Sequence, residues 1–199
     1  MSFRTLRPLL AASALLVPTA AFAHPGHGEA VGFMAGLGHP VGGLDHVLAM
    51  VMVGVFAYQL GGRALWLVPA TFVVVMAAGG GLGMAGIEVP FVETGIALSI
   101  VALGAAVAFG LKAPVAVAMA AVGVFATFHG YAHGAEAPET GGGAAYAAGF
   151  MLATAALHAA GVGFGALIGR IGEAQGPLVT RAAGGLAALA GVAILAGAL

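Results

Sequence analysis

His39-Pro40-Val41-Gly42-Gly43-Leu44-Asp45-His46 runs without a break into Val47-Leu48-Ala49-Met50-Val51-Met52-Val53-Gly54-Val55-Phe56-Ala57. Two imidazoles and a carboxylate therefore stand at the mouth of, and then inside, an apolar run of membrane-spanning length. An aspartate at the centre of a membrane helix costs about 2.5 kcal/mol or more, so its presence marks function by default. Imidazole beside carboxylate is also a donor set that suits a borderline divalent metal ion.

The rest of the chain reads as housing for that cluster. Of 199 residues, 61% are hydrophobic and 7% charged, too few charges to wet the surface of a soluble domain. Long runs of Ala, Leu, Val and Gly without two-residue alternation point to membrane helices rather than a β-barrel. A net charge of −1 gives no reason to expect nucleic acid as a partner. With no cysteine, disulfides and thiolate metal sites are excluded, leaving His, Asp, Glu, Met and backbone carbonyls as donors.

Residues 1–23 read as a secretory signal peptide: Arg4 and Arg7, an apolar stretch to Leu16, and the small-x-small pattern Ala21-Phe22-Ala23 before the cleavage point. The alternative is a first transmembrane helix. Cleavage leaves His24 as a new N-terminus, followed by a glycine-rich lead-in to residue 38 that carries His27 and Glu29. This lead-in is either a weak metal-binding segment or an inert tail. Residues 24–199 then form one all-α, six-helix transmembrane domain, with spans expected near 40–60, 64–86, 92–111, 114–133, 144–168 and 177–198.

Charge placement fixes the expected orientation. Arg63, Lys112, Arg170 and Arg181 fall at one end of the spans, and Glu29, Glu88, Glu93, Glu136 and Glu139 at the other. By the positive-inside rule, the basic end is cytoplasmic and the N-terminus periplasmic. His39, Asp45, His46, Glu93, His129, His133 and Glu136 all collect at the acidic end, where outer carboxylates would concentrate cations. His158 lies deeper.

Within Phe128-His129-Gly130-Tyr131-Ala132-His133-Gly134-Ala135-Glu136, the two imidazoles are one helical turn apart on one face, a spacing that lets both reach one ion. Gly130 stands where a zinc protease has its glutamate, so a protease is not expected. Glu136 joins the face of His129 if the helix continues past Gly134, and the loop if it frays. His39 and His46 are about 10 Å apart along an ideal helix and share an ion only if the helix start unwinds, which Gly42-Gly43 makes cheap. Otherwise His39 is a first station and Asp45 with His46 a second, Asp45 acting as ligand or as orienter of an imidazole. The methionines are ordinarily packing, the many glycines suit close helix contact, and His158 reads first as a hydrogen-bonded core residue.

These motifs, together with Val92-Glu93-x-Gly95-Ile96-Ala97-x-Ser99 and the His24-Pro25-Gly26-His27-Gly28 start, resemble the HupE/UreJ family of metal permeases over essentially the whole mature chain. The resemblance implies a bacterial inner-membrane importer of Ni²⁺, with Co²⁺ as second choice, serving hydrogenase or urease. It implies metal contact by His39, Asp45 and His46 in the first span and by His129, His133 and Glu136 in the fourth. His24, His27 and Glu93 are further metal candidates. No enzyme activity and no resident cofactor are expected; the partners are the metal ion and the bilayer, with homo-oligomers left open. The rival readings are a haem-binding electron carrier and a metal sensor or accessory protein that binds without transporting.

Overall fold

The computed structural model describes residues 28–137, 142–172 and 175–199; the signal-peptide reading and His24 and His27 lie outside them. Among the described residues the chain is all-helical: α1 (Gly28–Gly38), a 3-10 turn (His39–Val41), α2 (Leu44–Leu60), α3 (Ala64–Met84), α4 (Val92–Ala108), α5 (Val115–Ala135), α6 (Gly143–Gly169) and α7 (Gly176–Leu195). Four of these, α3, α5, α6 and α7, are each long and apolar enough to cross a membrane. α1 and α2 pass the same test together, bent by 79° at the break between them. α4 is apolar but has 17 residues, about 25 Å against the roughly 30 Å of a hydrocarbon core. Large apolar side chains such as Trp66, Val74 and Leu186 face outward while His129 and His158 are buried, the inverse of a water-soluble surface. The chain is a multi-pass membrane protein.

The start of the first span differs from the sequence expectation. Residues up to 38 read as a lead-in and Pro40 as the first helical turn; instead α1 is already helical from Gly28, and α2 begins only at Leu44. Gly43 takes an extended conformation (φ −110, ψ 127), which interrupts the helix. Tertiary packing overrides the weak helix propensity of a glycine-rich segment. Gly36 of α1 fits against the backbone of Tyr146, and Gly149 of α6 against that of Phe33. Farther along, Gly54 of α2 and Gly161 of α6 meet backbone to backbone. Both halves of the broken span thus run alongside α6, in its direction, and the break falls between the two contacts.

Glycine sets the other contacts as well. Gly130 and Gly134 of α5 press on the backbone carbonyls of Met76 and Gly80 in α3, an approach that any Cβ would block. Gly104 of α4 packs in the same way on Gly184 of α7. An apolar centre of Met50, Val53, Phe72, Ile100 and Val122 fills the space among α2–α5. At the basic end, Lys112 Nζ donates to the Gln59 carbonyl (2.7 Å), near the C-terminus of α2 where a cation is favoured.

Candidate metal site

The break before α2, the C-terminal turn of α5 and the first turns of α6 meet at one end of the bundle. α5 continues through Ala135, and Glu136 caps it with helical backbone angles (φ −94, ψ −1). The carboxylate therefore stays on the helical winding, on the face of His133, rather than departing into a loop. Glu136 Oε2 lies 3.3 Å from His39 Nε2 and 4.0 Å from His133 Nδ1. One donor atom from each of His39, His133 and Glu136 falls within 4.8 Å of the other two. Metal–nitrogen and metal–oxygen bonds are about 2.0–2.2 Å, so these donors need only a small contraction to share one ion.

A second set lies deeper. Asp45 Oδ1 is 3.1 Å from His46 Nδ1, which holds His46 with that nitrogen protonated and leaves Nε2 as a lone pair. His46 Nε2 in turn faces His133 Nε2 at 2.5 Å. The same His46 ring stands edge-on to His129, with centroids 4.8 Å apart. His129 Nε2 is hydrogen-bonded to Ser99 Oγ at 2.9 Å, and its Nδ1 is buried without a partner, as is that of His133. His133 thus presents one nitrogen to each set. Phe150 lies against its ring (4.1 Å), and Tyr146 stands edge-on to His39 (5.9 Å).

Seven residues apart in one chain, His39 and His46 both pack edge-on against the His133 ring (4.7 and 4.2 Å between centroids) because the helix is broken at Gly42-Gly43. The structure does not bring Glu93 into either set: it is exposed in the first turn of α4 and forms no ion pair among the described residues. Sequence reading did not single out Ser99, Phe72, Tyr146 or Phe150 as parts of the site. Only Ser99 carried a signal, as a hydroxyl in an otherwise apolar helix segment.

Fold and site together define a multi-pass helical membrane protein that gathers imidazoles and carboxylates at one end of its bundle. Its family follows from comparison: the model described as HupE / UreJ protein matches residues 12–194, and the chain belongs to that family. Protein HupE of Rhizobium leguminosarum bv. viciae is 52% identical over 185 residues, covering 93% of this chain and 95% of that relative. No solved structure matches the chain.

Proposed function

We propose that the chain is an inner-membrane permease that carries a divalent first-row transition-metal ion, Ni²⁺ before Co²⁺, from periplasm to cytoplasm. The reading takes the broken α1–α2 pair and α4 as spans, giving six after a cleaved signal peptide, with the acidic end outward. Family membership supports a metal transporter or accessory role. The observation that carries the transport reading is His133, whose two ring nitrogens face two different donor sets.

The steps follow from tautomer logic. In its Nε2–H form His133 donates to the His46 lone pair and offers Nδ1, with His39 and Glu136, to an arriving ion. In its Nδ1–H form it turns its Nε2 lone pair, beside that of His46, toward the deeper set. Exchange between the two forms, with widening of the short His46–His133 gap, hands the ion inward. Asp45 keeps the His46 lone pair aimed at the gap throughout. His24, His27 and the outer glutamates act before this, as a capture zone. The negative end of the α5 dipole, at His133 and Glu136, favours a cation there. Two imidazoles meeting nitrogen to nitrogen leave no slab for a porphyrin between them, which favours an ion over haem.

The test is uptake of radioactive nickel into cells lacking their own nickel transporters, comparing wild type with Asp45→Asn and His129→Ala at matched membrane expression. Uptake that both substitutions abolish is the expected result. Absence of wild-type nickel and cobalt uptake, with metal still bound by the purified protein, would replace the permease with a sensor or accessory protein.

A further inference from the structure

His158 stands apart from both sets. It is 1% exposed, and neither ring nitrogen has a hydrogen-bond partner, so it is not the hydrogen-bonded core residue that the sequence suggests. A neutral imidazole carries one N–H and one lone pair, and burying both unpaired costs stability that an apolar side chain of similar size would not. Such a group needs an explanation other than packing.

Its position supplies one. Phe72 of α3 packs against both His129 (5.6 Å between centroids) and His158 (5.1 Å), so a single aromatic ring separates His158 from the deepest histidine of the cluster. One turn toward the cluster on the same two helices lie Thr154 and Met76, with Thr154 Oγ1 3.7 Å from Met76 Sδ, both buried. The outward groove between α3 and α6 beside it, lined by exposed Leu65, Val74 and Ala155, faces lipid and does not reach the two ring nitrogens, which stay inside the bundle.

We infer that His158 is a transient ligand for the transported divalent ion, taking it after His129 on the way toward the basic end. The inference rests on the permease reading above. A lone imidazole, completed by water, holds a divalent ion weakly, which suits a step whose task is release. The Thr154 hydroxyl and the Met76 thioether lie one turn toward the cluster rather than completing a tight cage at His158.

The experiment pairs nickel uptake in cells with Ni²⁺ binding to the purified full-length chain, for wild type, His158→Leu and His158→Gln. Thermal unfolding and membrane expression are matched across the three. Expected is unchanged Ni²⁺ affinity at the cluster with uptake reduced about tenfold or more in both variants. Glutamine restores a donor and an acceptor without an imidazole, so rescue by His158→Gln would reduce His158 to a structural role and overturn the inference. Wild-type uptake in either variant would overturn it as well, and so would loss of cluster affinity in step with uptake. If His158→Leu does not fold, His158→Gln alone decides. Failure of wild type to transport nickel or cobalt removes the permease reading itself, an outcome distinct from failure at His158.

Discussion

His133 and His46, 87 residues apart in sequence, meet nitrogen to nitrogen at 2.5 Å where α5 crosses the start of α2. Only one proton fits between two such nitrogens, so the pair is either donor and acceptor or two lone pairs waiting for a cation. The Asp45 carboxylate on the far nitrogen of His46 decides which form that ring takes.

His133 belongs to both donor sets, so His133→Ala is expected to lower Ni²⁺ affinity of the purified protein by about 10–100-fold and to abolish uptake. Glu136→Gln touches only the outer set. It is expected to raise the half-saturating nickel concentration while leaving more of the maximal rate than Asp45→Asn does. Calorimetric titration and concentration-dependent uptake separate the cases; equal effects of Glu136→Gln and Asp45→Asn would argue against two sets in series.

Protons compete with the ion for every imidazole in the site. Metal binding requires the neutral ring, so lowering the pH displaces Ni²⁺ and raising it restores binding. Apparent affinity should therefore fall as pH is lowered through the histidine range, between about pH 8 and 5. Binding isotherms at stepped pH check the sign, and a buffer-dependent heat of binding would register the protons released.

Ser99→Ala leaves His129 Nε2 buried without its 2.9 Å partner. The expected cost is about 1–3 kcal/mol of stability, seen as a lower unfolding temperature in detergent. Ni²⁺ affinity should fall less than in His129→Ala, because the ring itself remains. A Ser99→Ala protein as stable as wild type would mean that water replaces the hydroxyl.

Gly130→Ala and Gly134→Ala would drive a methyl group into the backbone carbonyls of Met76 and Gly80, atoms that have nowhere to go. Each is expected to destabilise by about 1–3 kcal/mol and to impair uptake by shifting the turns that carry His129 and His133. Gly163→Ala and Gly185→Ala, where a Cβ meets open space, should be neutral or stabilising by up to about 1 kcal/mol. Thermal unfolding of the four proteins in one detergent tests the contrast.

Membrane residence, helical class and the gathering of histidines at one end were legible in the sequence because they follow from hydropathy, span length and the parity of consecutive spans. The one-turn spacing of His129 and His133 was legible, but the donor group the structure gathers is His39, His133 and Glu136, without His129. Where the first span breaks was legible only as an option, since Gly42-Gly43 permits unwinding without requiring it. Nothing local marked Gly28–Gly38 as a helix; its contacts with α6, through Gly36 and Gly149, are what hold it.

The sequence by itself determined that a costly carboxylate and several imidazoles would share an apolar environment. Only the tertiary structure decided the partners distant in sequence: His39 with Glu136, and His133 between those two and the Asp45–His46 pair. The physical reason is that these helices are apolar nearly all round, so hydropathy does not say which face meets which neighbour. That choice falls to glycine contacts, the fit of one backbone against another, and such a fit exists only once both helices are in place.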